Sequence, residues 1–327
     1  MLPLKIVSLL PSATEIIQTL ELTDHQVGRS HECDFPQIIS SLPACTAPKF
    51  NPQGTSREIH DRVTDLLQSA LSVYQVKTDV LEALQPTHIL TQAQCEVCAV
   101  SLPEVETAVA ALTGVNPQIL SLQPNSLADV WADLRRVAIA LLGTAGAAKA
   151  DEAVAALQHR VQRCRQQVFG VAHRPTVVCL EWPDPLMTAG NWVPELVTLA
   201  GGFPLLAKAG QHSPWITWND LVKADPEVII LMPCGYDMAT AVQESQGLLQ
   251  HPYWSLLRAV KTERVYVTDG NQYFNRPGPR LVNSLEILVE ILHPGLRSPQ
   301  YEGPGWRSLA AFPVSSVKPF EWGLRTG

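Results

Sequence analysis

The chain has 327 residues, 46% hydrophobic and 17% charged, enough apolar material for one large or two ordinary domains with proper cores. Its 24 Lys and Arg against 31 Asp and Glu leave a net charge of -7, and no basic cluster interleaved with aromatics occurs, which argues against nucleic acid as a partner. The 7 cysteines, an odd number scattered along an acidic chain, give no disulfide framework and agree with a reducing compartment.

The N-terminal run Leu4-Lys5-Ile6-Val7-Ser8-Leu9-Leu10-Pro11 turns apolar almost at once, and no small-residue cleavage site follows. It reads as a first strand over residues 6–10. Ser12 is placed to cap the next helix, with Glu15 reaching back as a capping box. Beyond the Pro48 and Pro52 loop a helix is predicted over residues 55–70. Residues 87–91 and 118–122 read as strands on either side of a helix at about residues 102–112. Between about residues 126 and 168 there is no strand signal, while Val130, Leu134, Val137, Ala138, Leu141 and Leu142 recur at helical spacing. A long helix, broken near Gly143 to Gly146, fits that stretch.

The βα pattern then restarts. Strands are expected at residues 176–180, 228–232 and 265–268, and helices at 193–200, 218–224 and 279–292. Gly201-Gly202 reads as a helix C-terminal turn. Beyond Pro294 the Pro- and Gly-rich tail is expected as coil. The fold class expected is therefore α/β, with two Rossmann-like lobes of mostly parallel sheet joined by one long helix. The boundaries are residues 1–125 for the first lobe, 126–170 for the helix, 171–295 for the second lobe and 296–327 for the tail. No run of about 18 apolar residues occurs, so the chain is not expected to be membrane-embedded. As written it reads as cytoplasmic, or as periplasmic if the sequence is a processed form.

In open α/β sheets ligands bind at the carboxyl ends of the strands, so the loops there are the place to look. Ser30-His31-Glu32-Cys33-Asp34-Phe35-Pro36, Gln92-Ala93-Gln94-Cys95-Glu96-Val97-Cys98, Glu181-Trp182-Pro183-Asp184-Pro185, Ser213-Pro214-Trp215-Ile216-Thr217-Trp218 and Asn271 to Arg280 combine soft metal ligands, carboxylates and aromatics. That mixture suits a large, flat, partly apolar ligand edged with polar groups. The plain alternative is that Trp215 and Trp218 simply cap a core.

Cys95 and Cys98 have the spacing that lets two thiolates meet one metal ion, and His31 with Cys33 would complete a four-ligand site if the loops meet. The competing reading is a pair of half-buried thiols at a helix start. A neutral His31 imidazole is also suited to the open axial face of a corrin or porphyrin metal; the alternative is a histidine bonded to a neighbouring loop. The chain has no nucleophile elbow, no His-Glu-x-x-His, no Walker loop and no Gly-x-Gly-x-x-Gly after the first strand. A binding protein is expected rather than an enzyme.

The segments Ile6 to Glu15, Val27-Gly28-Arg29-Ser30-His31-Glu32-Cys33-Asp34-Phe35-Pro36, Ala83 to Leu90, Pro214-Trp215, Ala224 to Ile230 and Arg276-Pro277-Gly278-Pro279-Arg280 resemble, in order, the cobalamin-binding branch of the helical-backbone (class III) ABC transporter substrate-binding proteins. The resemblance covers about residues 4–293. It implies a ligand cleft between the two lobes and non-enzymatic carriage of cobalamin, vitamin B12, or a related corrinoid. It also implies that the loop at His31, Glu32 and Asp34 touches the corrin, that Trp215 packs on the macrocycle, and that Tyr273 and Phe274 face the nucleotide side. Gln94, Glu181, Trp182 and Arg276 complete the expected ligand contacts. An ABC permease is the implied partner, with Asp79 and Asp220 nearest to the family's docking acids. The His31-Glu32-Cys33 and Cys95 to Cys98 loops depart from the transporter-linked members. They keep open an alternative: a metal-ion or haem-type chelate protein, or a metal-dependent enzyme, using His31, Cys33, Cys95 and Cys98.

Overall fold

The computed structural model describes residues 3–68, 73–92, 101–296 and 298–311. The chain divides into two compact α/β units, the first made of residues 1–162 with Arg276–Val282 and the second of Arg163–Asn275 with residues 283–327.

The first unit is built on β1 (Ile6–Ser8), α1 (Pro11–Thr19), β2 (Gln26–Arg29), β3 (Thr46–Pro48), α2 (Ser56–Leu67), β4 (Tyr74–Val76), α3 (Thr78–Leu84), β5 (His88–Gln92), α4 (Leu102–Ala110) and β6 (Gln118–Leu122). Its parallel sheet has the order β2-β1-β5-β6, and β3 and β4 form a separate antiparallel pair. Both faces of β1 and most of β5 are buried, as the continuous apolar runs require in a helix-covered parallel sheet. Val7, Leu9, Leu81, Ile89 and Val105 are within 1% of full burial and form one core. Each large aliphatic there contributes about 1.5–3 kcal/mol.

The predicted capping box on α1 does not form. The helix starts two residues earlier, with Leu10 as N-cap and no side-chain cap, because Pro11 is already set for the first helical position. Ser12 therefore lies inside the first turn, and Glu15 is released for a different partner.

The long helical stretch is two helices, α5 (Leu127–Leu142) and α6 (Thr144–Gln167). Ser126 caps α5 through the Asp129 amide, and Gly143 ends it at φ +65, a conformation that favours glycine. Gly146 lets the two backbones touch at this corner, since a Cβ there would lie 2.0 Å from the Ala138 carbonyl oxygen.

The second unit carries β7 (Thr176–Pro183), β8 (Leu186–Thr188), α7 (Val193–Leu199), β9 (Phe203–Pro204), α8 (Trp218–Ala224), β10 (Val228–Leu231), α9 (Met238–Leu249), α10 (Arg258–Lys261), β11 (Val265–Thr268), α11 (Leu281–Leu292) and β12 (Trp306–Ser308). Strands β9, β7, β10 and β11 are parallel neighbours in that order. Numbered by chain position, this is 2-1-3-4, the same order as β2-β1-β5-β6 in the first unit. The approach to the third strand is repeated as well: α3 and α8 each end in a left-handed residue, Gln85 or Asp225, followed by Pro86 or Pro226.

The tail, expected as coil, instead adds β12 antiparallel to β11. Glu290 on α11 holds it by accepting from the Gln300 and Tyr301 amides and from Trp306 Nε1. Among the described residues, no helix is long and apolar enough to cross a membrane.

Candidate functional site

In each sheet the chain reverses direction around its first strand, so the switch point lies at the carboxyl ends of β1 and β5 in the first unit and of β7 and β10 in the second. Crevices form at such points because the following loops diverge to opposite sides.

In the first unit the loop after β2 carries His31, Glu32, Cys33 and Asp34. His31 is half-buried; its ring lies 5.0 Å from that of Tyr74 at a 59° tilt, and its Nδ1 is 2.7 Å from Thr46 Oγ1. Burial, with the positive charges of Lys77 and Arg29, pushes its pKa down to about 4, so the imidazole is neutral at ordinary pH. Tyr74 donates its hydroxyl to Glu32 Oε1 at 2.8 Å. Burial nonetheless raises the Glu32 carboxyl, outweighing the Tyr74 bond and the Arg276 charge. Cys33 is 1% exposed, and Thr14 Oγ1 donates to its sulfur at 3.2 Å. Burial pushes that thiol up to about 11, which disfavours the thiolate a metal needs.

The loop is braced by the segment 276–282. Arg276, 8% exposed at its side chain, donates through both terminal nitrogens to Asp34, at 2.6 and 3.2 Å, and to the Glu32 carbonyl at 3.3 Å. Four residues on, Arg280 approaches Glu15 Oε1 to 3.2 Å and stacks its guanidinium 4.1 Å from the Phe35 ring centre. Glu15 is 1% exposed, and burial lifts its pKa to about 7 against the lowering charges of Arg280 and Arg276. Gly278 is required where the strap crosses α1, since a Cβ would sit 2.9 Å from Glu15 Oε2 and 3.3 Å from the Ser12 backbone.

In the second unit Trp182, near the end of β7, and Tyr236, after β10, pair at 5.3 Å over the switch point. Glu181 accepts the Ser213 hydroxyl, and Ser213 Oγ in turn accepts the Gly190 amide. Asp269, after β11, is 4% exposed and takes the amides of Asn271 and Gln272. Burial raises both the Glu181 and Asp269 carboxyls. Trp215 is 54% exposed, its loop pinned by the Thr188 amide to Pro214 and the Ile216 amide to Leu186.

Several expected contacts are placed differently from a ligand-facing role. Phe274 is fully buried at φ +69; its amide donates to Ser284 Oγ and its carbonyl accepts from Trp192 Nε1, so it belongs to the core of its unit. Tyr273 packs edge-on to Tyr301 at 6.0 Å. Arg276 and Asp34 are committed to each other. Gln94, Cys95 and Cys98 lie outside the described residues, and among the described ones no cluster of three or more His, Cys, Asp or Glu is arranged to hold a metal ion. Asp79 is exposed in the first turn of α3, whereas Asp220 spends its carboxylate on the α8 capping box with Thr217. Thr46, Tyr74, Glu15, Tyr236 and Asp269 were not expected at the site, and Arg280 was expected only as part of its loop.

A search of curated proteins finds a Bacillus subtilis (strain 168) relative, the uncharacterized ABC transporter substrate-binding lipoprotein YvrC, 25% identical over 303 residues, covering 89% of this chain and 81% of that protein. Among solved structures, a periplasmic heme-binding protein from Pseudomonas aeruginosa is similar at 20% identity and TM-score 0.68, over 94% of this chain and 98% of that one. The periplasmic vitamin B12 binding protein BtuF of Vibrio cholerae is similar at 20% identity and TM-score 0.60, over 88% and 96%. These structural likenesses show the shared two-lobed α/β fold. The family model described as periplasmic binding protein matches residues 6–272, and the chain belongs to the periplasmic binding protein family.

Proposed function

We propose that this chain is the substrate-binding component of an ABC transporter, a carrier and not a catalyst, and that its ligand is cobalamin or a related corrinoid. The transporter role is supported by family membership and by the lipoprotein relative. One relative is a lipoprotein by name and a structural neighbour is periplasmic by name, and placement outside the cytoplasmic membrane is proposed here in preference to the cytoplasmic one. Asp79 is the better permease contact, since the Asp220 carboxylate is already bound.

The observation that favours a corrinoid over haem is the state of the charged groups in the carboxyl-end loops. Arg276 and Arg280 are engaged by Asp34 and Glu15, while Glu32, Glu181 and Asp269 have carboxyls raised by burial. Such groups accept from, and when protonated donate to, the neutral amides that fringe a corrin. Haem propionates would call for cations, and the two arginines of this loop are already paired with Asp34 and Glu15. Trp215 and the Trp182–Tyr236 pair supply the flat apolar contact.

Calorimetric titration with cyanocobalamin and with haemin tests the reading. One-to-one binding of cyanocobalamin, weakened by Trp182→Ala, is expected. Haemin bound with cyanocobalamin ignored would overturn the corrinoid assignment and leave a chelate carrier of the haem type.

A further inference from the structure

We infer that Ser30 and Thr46 hold His31 as the Nε2–H tautomer, so that its ring offers the bound chelate a neutral N–H donor, taken by the carbonyl oxygen of a side-chain amide, and no lone pair for the metal. This deepens the reading above and rests on it for the identity of the chelate.

Two hydroxyls behind the ring decide where its proton lies. Thr46 Oγ1 accepts the His31 backbone N–H at 3.1 Å, and it lies 2.7 Å from His31 Nδ1 and 3.0 Å from Ser30 Oγ. Ser30 Oγ accepts the Glu32 amide at 3.3 Å. Neither hydroxyl has a further partner among the described residues, and Ser30 and Thr46 are 2% and 1% exposed, so water is kept from both. A hydroxyl has one proton and two lone pairs. Thr46 is therefore left with one proton and one lone pair for Nδ1 and Ser30, which allows two arrangements. With Nδ1–H donating to Thr46, Thr46 donates to Ser30, and the Ser30 proton is stranded without an acceptor. With Ser30 donating to Thr46, Thr46 donates to a bare Nδ1, every proton behind the ring finds an acceptor, and the ring proton lies on Nε2. The stranded, buried hydroxyl disfavours the first arrangement about tenfold or more. The second runs in one direction, from the Glu32 amide through Ser30 and Thr46 to the ring, so each bond polarises the next.

The donor is placed for a ligand. His31 Nε2 has no partner among the described residues and is not buried, while the Tyr74 ring, itself tied to Glu32, packs 5.0 Å away and fixes the imidazole plane. Burial and the charges of Lys77 and Arg29 keep the ring neutral at ordinary pH. A protonated Nε2 on a neutral ring has no lone pair for cobalt or iron, and its complement is an acceptor oxygen. The amides that fringe a corrin present such oxygens without charge.

In ligand-free protein carrying ¹⁵N-histidine, long-range ¹⁵N–¹H correlation at pH 7 is expected to show His31 protonated at Nε2 and bare at Nδ1; a proton on Nδ1 overturns the inference. In titrations followed by calorimetry and absorption, cyanocobalamin and hydroxocobalamin should bind alike. His31→Ala should weaken both about tenfold, and His31→Gln, which keeps an N–H donor, by less than about threefold. The bands of bound hydroxocobalamin should lie at the same wavelengths in the wild type and in His31→Ala. A band shift lost in His31→Ala would mean metal ligation, and equal losses in the two variants, or none in His31→Ala, would mean that the ring donates nothing to the ligand. Each of these overturns the inference and leaves the corrinoid reading standing. If neither cobalamin binds, the corrinoid reading fails and haemin replaces them as the probe, with a propionate oxygen taking the N–H. A Soret maximum unmoved by His31→Ala with affinity lowered about tenfold then supports the donor role, and a moved maximum, an unchanged affinity or no binding refutes it.

Discussion

Replacing Glu15 by glutamine keeps the shape of the side chain and removes its charge, which isolates the energetic sign of the buried Glu15–Arg280 contact. Glu15 is 1% exposed, and its pKa rises from the ordinary 4.5 to about 7. The folded protein therefore holds the proton more tightly than the unfolded chain. Below pH 4.5 both states are protonated and the group adds no pH dependence. Between pH 4.5 and 7 the unfolded chain ionises first, and stability falls as pH rises. At about 1.4 kcal/mol per pKa unit, the full loss by pH 8 is about 3 kcal/mol. Glu15→Gln lacks this slope, so urea unfolding should show the variant and the wild type close together near pH 4.5, with the variant gaining about 3 kcal/mol on the wild type by pH 8. A difference independent of pH would mean that Arg280 just offsets burial, and one that grows in favour of the wild type that Arg280 outweighs burial and the pair is a net stabiliser.

Arg276→Met should destabilise the first unit by about 1–3 kcal/mol by losing a buried charged donor, and a cycle with Asp34→Asn should give a coupling of about 0.5–2 kcal/mol, limited because Asp34 is 45% exposed. Thr217→Ala removes the α8 capping box and should cost about 1 kcal/mol in urea unfolding. Gly270→Ala places a Cβ 2.0 Å from the Pro233 carbonyl oxygen, and the backbone must move; a loss of about 3 kcal/mol or failure to accumulate as folded protein is expected, checked by circular dichroism. Trp215→Ala should leave the melting temperature unchanged, because the ring is 54% exposed, while weakening cyanocobalamin about tenfold in calorimetry.

The framework of the fold was legible because its elements are long or continuously apolar. Strands β6 and β11 and helix α8 fall on the expected residues, and the break between α5 and α6 lies within the Gly143 to Gly146 window. The elements that escaped are short or stabilised from outside. Strands β3, β4, β8 and β12 have three residues each, too few to set a period, and β12 exists because Glu290 and β11 receive it. Helix α9 has a weak apolar stripe and a glycine at residue 247, and it went unseen for that reason. The same limit governs the site. His31 and Glu32 stood out by residue type, whereas Thr46 and Tyr74 matter only because the β3–β4 pair brings them to that loop. Glu15 was read as a local cap because its true partner, Arg280, is 265 positions away and reaches it only through the fold.

The central claim is the chemistry of the ligand. Equilibrium dialysis of the purified chain against an equimolar mixture of cyanocobalamin and haemin, followed by the absorption spectrum of the retained material, tests it directly. One corrinoid per chain with no Soret band is the expected result; a Soret band without corrinoid, or no retained chromophore, would contradict the account.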